Sequence, residues 1–140
     1  MKNFLLILWQ LPQILAALVM WPFLGKKTLV AKNEYTKAYL CERMQGSISL
    51  GVFIFLSPYG AGKDEVITHE FGHTWQSRLL GWFYLIVIGL PSILNACIGF
   101  TKCYYDWYPE KWANNIQGLI TNEYCGLVQD GIRKVAYQKV

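Results

Sequence analysis

The chain has two histidines, His69 and His73, and they bracket Glu70 in the sequence His-Glu-Phe-Gly-His. Residues four apart on a helix lie one turn above each other on the same face, so both imidazoles can reach one tetrahedral Zn²⁺. The glutamate beside the first histidine then lies next to the open position of the metal, where it can take a proton from water. The spacing therefore predicts a zinc site with His69 and His73 as ligands and Glu70 as the general base.

A third ligand must come from a carboxylate or a thiolate, because a catalytic zinc normally has three protein ligands and the chain has no third histidine. We favour Glu110 for its surroundings, Pro-Glu-Lys-Trp-Ala-Asn, within a short amphipathic helix predicted from Tyr108 to Leu119. The alternative for this residue is a solvated carboxylate at a helix end. The other downstream candidates are Asp106, Glu123 and Asp130.

His69 to His73, followed by Glu110-x-x-Ala113-Asn114, resembles the gluzincin zinc metallopeptidases, a group with integral-membrane members. In that group a glutamate on a later helix is the third zinc ligand, and a nearby aspartate orients the first histidine. The resemblance therefore implies that Glu110 binds the metal and that Asn114 holds His69. An amide holds an imidazole without charge, which lowers the basicity of the ligand.

The gluzincin resemblance also implies an edge strand that pairs with extended substrate, a role for Ser49, Leu50, Gly51, Val52 and Phe53. The wider stretch from His69 to Gly81, with Gly-Leu-Pro-Ser after it, is similar to small bacterial membrane proteins.

The helix that carries the two histidines is predicted from Lys63 to Leu80. Acidic residues suit its first turn, Arg78 suits its last, and Gly81 is a natural residue after its end. Gly72 lies inside this helix, where glycine costs about 1 kcal/mol against alanine. We therefore expect a second backbone to approach the helix closely beside His73.

A small antiparallel sheet or hairpin is predicted before this helix. Residues 47–56 are β-branched and aromatic and indicate a strand, and residues 38–44 alternate weakly. Gln45-Gly46 between them is a plausible hairpin turn. Thr28 to Ala31 can add a third short strand.

The composition indicates contact with lipid, since 54% of the residues are hydrophobic and only 16% are charged, against about 25% in soluble domains. Residues 3–25 carry no charge, which predicts a transmembrane anchor over residues 1–25 and a zinc domain over residues 26–140. A cleaved signal peptide is the rival interpretation, but Trp and Pro stand where small residues should mark its cleavage site. Lys and Arg do not cluster with aromatic residues, so nucleic acid is not an expected partner.

A second uncharged run, residues 81–101 up to Lys102, separates the two halves of the predicted zinc site. We expect it to form an apolar helical hairpin that dips into one leaflet and bends at Gly89-Leu90-Pro91-Ser92, because a single crossing would place His73 and Glu110 on opposite sides. Twelve of the thirteen Lys and Arg residues then share one side of the membrane. That bias predicts the cytoplasmic side of a bacterial inner membrane.

These observations predict an α+β membrane protein that acts as a zinc metallopeptidase on a peptide or membrane-protein substrate. Two alternatives stay open: a zinc-binding membrane protein without proteolytic activity, and a membrane scaffold without a metal. The oligomeric state is also open. The sequence offers several donors for stabilising an oxyanion and does not rank them: Arg78, Tyr104, Tyr105 and Tyr108.

Overall fold

Five α-helices and one four-stranded sheet make up residues 2–118, the part of the chain that the computed structural model describes. The predicted α+β class is confirmed. The helices are α1 (Lys2–Trp9), α2 (Leu11–Met20), α3 (Asp64–Leu80), α4 (Leu90–Ile98) and α5 (Tyr108–Ile116). The strands are β1 (Lys27–Lys32), β2 (Lys37–Cys41), β3 (Ile48–Leu50) and β4 (Phe53–Leu56).

The sheet is mixed, with the strand order β1-β2-β4-β3. β1 pairs antiparallel with β2, β4 pairs parallel with β2, and β3 pairs antiparallel with β4. The expected third strand is confirmed as β1. The predicted hairpin at Gln45-Gly46 is wrong, because β4 lies between the two strands that this turn was expected to join, and the sheet is therefore not purely antiparallel.

The single strand expected over residues 47–56 is two strands joined by a tight turn at Gly51-Val52. Gly51 has a φ of +64°, which glycine adopts without the steric cost that other residues meet. The turn pairs Leu50 with Phe53. Of these two strands, β3 therefore lies at an edge of the sheet and β4 lies inside it.

Helices cover both faces of the sheet, as the alternation of side chains along β4 requires. Ile54 and Leu56 face α3 and form one buried cluster with Ala38. Phe55 faces the other side and packs in a second cluster, whose further buried members are Ala17, Leu24, Cys41 and Leu50. The N-terminal helix α2 is therefore part of the protein core.

The N-terminal apolar segment is not the single transmembrane helix that we expected within residues 1–25. It is broken at Gln10 into α1 and α2, and Pro12 occupies the first turn of the second helix. Among residues 2–118, no single helix is both long enough and apolar enough to cross a bilayer; only Asp64–Phe83 and Leu85–Ile98, as a pair bent by 117°, meet those two criteria together.

The apolar run after α3 bends earlier than predicted. α3 ends at Leu80, Gly81 after it has a φ of +52°, and the chain turns through the 3₁₀ segment Gly81–Phe83. Leu85–Gly89 is a π-helical turn that continues into α4. Pro91 lies in the first turn of α4, where the missing N–H of proline costs no helical hydrogen bond. The hairpin bend expected at residues 89–92 is therefore wrong. After Gly99 the chain returns to α5.

Candidate metal centre

The site is built where α3 and α5 pack against each other. The absent side chain of Gly72 makes this close packing possible, since a Cβ there would lie 2.8 Å from the carbonyl carbon of Ala113. Our expectation of a close backbone approach at this glycine is confirmed. The contact places Glu110 and Asn114, on the inner face of α5, opposite the histidines of α3.

Three possible ligand atoms converge between the two helices. Oε2 of Glu110 lies 3.0 Å from Nε2 of His69 and 3.0 Å from Nε2 of His73, and the two imidazole nitrogens are 3.1 Å apart. All three residues are buried. These three residues, the metal group, could hold a metal ion. Zinc bonds of about 2.0–2.2 Å in a tetrahedron would separate the ligand atoms by roughly 3.3 Å, close to the observed spacing.

The hydrogen bonds behind the imidazoles fix which nitrogen of each ring carries a hydrogen. Nδ1 of His69 lies 2.6 Å from Oδ1 of Asn114, and Nδ1 of His73 lies 2.7 Å from Oε1 of Gln76. The oxygen and nitrogen of the Gln76 amide cannot exchange places without losing a hydrogen bond, because Nε2 donates to the carbonyl of Pro109. Each Nδ1 is therefore placed to donate to an amide oxygen, and in the neutral form of each ring the lone pair of Nε2 faces Glu110.

The electrostatics of this arrangement demand a positive charge at its centre. Burial disfavours the protonated form of His73, but Glu110 outweighs it and raises the pKa of His73 to about 9. Burial likewise opposes ionisation of Glu110, yet His73 and His69 hold its pKa far below the usual range. Without a metal, a proton on His73 supplies the positive charge. A divalent cation can take its place.

Glu70 is also buried, and a residue of the sheet holds its side chain in place. The hydroxyl of Ser49, on β3, lies 2.7 Å from Oε2 of Glu70 and 2.8 Å from its backbone oxygen. The hydroxyl of Tyr84, at the bend after α3, donates to the carbonyl of Ser49 at 3.2 Å. Burial and the nearby carboxylates raise the pKa of Tyr84, so it stays a neutral donor. The proposed base is thus tied to both the edge strand and the bend.

The four residues considered as oxyanion donors have different surroundings. The hydroxyl of Tyr104 donates to Oε1 of Glu110 at 2.9 Å, and the ring of Tyr105 meets that of His69 edge-on at 5.2 Å. Burial and Glu110 raise the pKa of Tyr104 far above its ordinary value. Tyr108 donates to the backbone carbonyl of Val87, in the π-helical turn, and Arg78 lies against Tyr35 and Trp75. Only Tyr104 and Tyr105 therefore lie at the site.

The remaining predicted residues do not join the metal group. Asp106 is exposed, and Glu123 and Asp130 lie outside the described residues. Of the expected substrate-binding strand, Ser49 and Leu50 lie on the edge strand β3. Gly51 and Val52 form the turn and Phe53 belongs to β4, so the edge is shorter than the resemblance implied.

Three features of the site are not predicted from the sequence: Gln76, the contact of Ser49 with Glu70, and Tyr84. Gln76 carried a detectable signal, because a polar residue three positions after His73 shares its helix face. The other two contacts depend on how β3 and the bend meet α3, which no local spacing reveals.

A cavity of about 750 Å³ opens onto the metal group. His69, Glu70, His73 and Glu110 line its floor, and β3 and the segment 84–96 form its walls. A substrate lying in this cavity would therefore be next to the metal group and the proposed base together.

No protein-family model, curated protein or solved structure matches this chain. The geometry of the site is therefore the starting point for a functional proposal.

Proposed function

We propose that this protein is a membrane-associated zinc metallopeptidase in which Glu70 is the general base. The single observation that carries the proposal is the convergence of two imidazole nitrogens and a carboxylate oxygen within 3.0–3.1 Å, with Glu70 lining the same cavity. A His₂Glu ligand set with an open position is typical of catalytic zinc in peptidases. The ligand set and its surroundings fit zinc better than calcium or magnesium, which take oxygen ligands.

Bound zinc would supply Lewis-acid chemistry, polarising the scissile carbonyl and activating water near neutral pH. Glu70 would accept a proton from the water as its oxygen bonds to the carbonyl carbon. The same carboxyl would then give that proton to the leaving amine as the C–N bond breaks. Ser49 would hold the carboxylate of Glu70 in place, and Tyr104 would hold Glu110.

The proposed membrane association rests on the exposed apolar side chains near the bend. Monomeric soluble proteins rarely expose contiguous apolar patches larger than a few hundred Å². Here the N-terminal helices and the stretch from the end of α3 to Phe100 carry many large exposed hydrophobic residues, among them Phe4, Leu8, Leu79, Trp82, Phe83, Ile86, Ile98 and Phe100.

A second candidate is a zinc-binding membrane protein without proteolytic activity. Two observations favour it: Asn114 holds His69 without charge, and the carboxylate of Glu70 is already engaged by Ser49. In that case zinc would mainly stabilise the packing of α3 against α5.

Comparing the wild type with Glu70→Gln separates the two candidates, because only a peptidase has a hydrolysis rate that the substitution can lower. The amide keeps the shape of the side chain but is not a base, so we expect bound zinc to remain while hydrolysis of a casein or membrane-protein substrate mixture falls by about 10²-fold or more. Zinc content and product formation are measured on the same sample. Hydrolysis that persists at the wild-type rate in E70Q would show that Glu70 is not the base.

A further inference from the structure

The cavity beside the metal centre has two chemically different ends. One end is lined by the loops that precede β3 and follow β4, whose side chains include Gln45, Ser47, Ser57 and Tyr59. These loops contact each other, since the backbone N–H of Ser57 donates to the hydroxyl of Ser47. The other end is lined by the π-helical turn and α4, whose large side chains there are Leu85, Ile88, Leu90 and Ile93, with Ser92 as a polar residue among them.

The edge strand β3 connects these two ends. It begins beside Ser47, at the polar end, and Leu50 at its other end shares a buried cluster with Leu85. The metal group and Glu70 line the cavity between them. A ligand that follows β3 therefore passes from polar surroundings, over the metal group, to apolar ones.

The apolar end is continuous with the outer surface of the protein. Leu90 and Ile93 line the cavity, yet they are 52% and 53% exposed. The same helical segment also carries the exposed apolar residues Ile86 and Ile98. A chain segment lying on this apolar surface can therefore enter the cavity without first crossing a polar rim at this end.

We propose that the cavity binds a polypeptide segment in which an apolar stretch is followed or preceded directly by a polar one, as where a membrane-embedded segment emerges into water. The apolar part lies against Leu90 and Ile93, the polar part lies against the loops at Ser47 and Tyr59, and the bond between them lies over the metal group. This assignment deepens the proposed peptidase function and rests on it for the identity of the scissile bond.

The test measures binding without turnover. Zinc-loaded full-length E70Q protein in phosphatidylethanolamine–phosphatidylglycerol vesicles is titrated with two fluorescent peptides of identical composition. One has an apolar block joined to a polar block, and the other has the same residues shuffled. Vesicles without protein give the background from partitioning into lipid. We expect the block peptide to bind about tenfold more tightly than the shuffled one, since burying one aliphatic side chain can account for such a factor.

Two variants on one helical segment separate the cavity from the membrane surface. Adding Ile93→Glu should bring the two peptides to within about twofold of each other, because the charge enters the apolar end of the cavity. The matched control Ile86→Glu, on a residue that is 67% exposed and does not line the cavity, should preserve the preference. Zinc content checks that both variants keep the site.

Equal binding of the two peptides to E70Q, or an equal loss of preference in the Ile86 and Ile93 variants, would overturn the assignment. Failure of the peptidase proposal gives a different result. Wild-type protein would then bind the block peptide preferentially and leave it uncut, and this binding would still support the cavity assignment.

Discussion

Each histidine of the metal group is held by a neutral amide, Asn114 behind His69 and Gln76 behind His73. Carboxylates in these places would add two negative charges to a buried site that already contains Glu70 and Glu110. With amides instead, one divalent cation balances the two glutamates. Burying an unpaired charge costs free energy, so the neutral amides suit a site in which one divalent metal ion is the only cation.

Asn114 should matter for metal affinity even though it is not one of the three possible ligands. Substituting Asn114→Ala removes the acceptor for Nδ1 of His69, and loss of such a partner typically costs 10–100-fold in metal affinity. We expect a loss of about that size in a chelator competition titration. The matched control is Asn115→Ala, on the neighbouring exposed residue of the same helix, which should bind zinc like the wild type. Wild-type affinity in N114A would contradict the role given to this amide.

Zinc binding should depend on pH through His73. In the metal-free protein the pKa of His73 is raised from 6.5 to about 9, so the stabilisation from its protonated form is fully present below about pH 6.5 and is lost as the pH rises through about 9. Zinc must displace this proton, and its affinity should therefore rise about tenfold per pH unit between about pH 7 and pH 8.

Chelator competition, corrected for the chelator's own protonation, measures that slope. Thermal unfolding of the metal-free protein over the same range should show falling stability, while the stabilisation by added zinc grows. An affinity independent of pH would mean that no proton leaves the site on binding.

At the scale of elements, the contact between α3 and α5 decides whether the three ligand atoms meet. Gly72→Ala should force the helices apart at Ala113, since the added methyl group has no room beside the carbonyl. Overpacking of this kind costs about 1–3 kcal/mol, which exceeds the gain of about 1 kcal/mol from the helix propensity of alanine. We expect a lower melting temperature and a zinc affinity reduced by about tenfold or more.

The control for Gly72→Ala is Gly89→Ala, also within a helical segment. A Cβ at Gly89 meets only the side chain of Leu85 at 3.4 Å, an ordinary contact, so zinc affinity should be unchanged. If G72A binds zinc as tightly as the wild type does, the close approach of α5 is not what assembles the site.

The elements that could be predicted from sequence are those whose signals are local. α3 shows acidic residues at its start, Arg78 at its end and Gly81 after it. α5 begins with Pro109 in its first turn. The sheet order could not be predicted in this way, because the parallel pairing of β2 with β4 joins segments that no turn connects. Gly51 did carry a signal for the turn that divides residues 47–56, and its positive φ explains why the strand ends there.

The bend after α3 was misplaced because glycine and proline favour a break only where packing permits one. Gly89 ends the π-helical turn and Pro91 lies in the first turn of α4, and Leu85–Ile98 continues through both residues as one helical segment. At Gly81, in contrast, the side chain of Trp9 occupies the space that a Cβ would need, and Gln13 donates to the Gly81 carbonyl. The N-terminal helices therefore determine where the chain turns.

At the scale of the whole molecule, the N-terminal helices belong to the protein that carries the site. Ala17 and Leu24 are buried against the sheet, Trp9 donates to the backbone of Arg78, and Trp82 donates to that of Leu8. Removal of residues 1–25 would expose the sheet face beneath them.

The most direct test is the zinc content of the purified full-length protein and three variants. We predict about one zinc per chain in the wild type, and less than about a tenth of that in His73→Ala and Glu110→Ala, because each variant removes one of three ligands. Glu65→Ala, on an exposed carboxylate of the same helix as His73, should keep the wild-type content. A wild-type protein without stoichiometric metal, or an E110A protein that retains it fully, would contradict the metal centre.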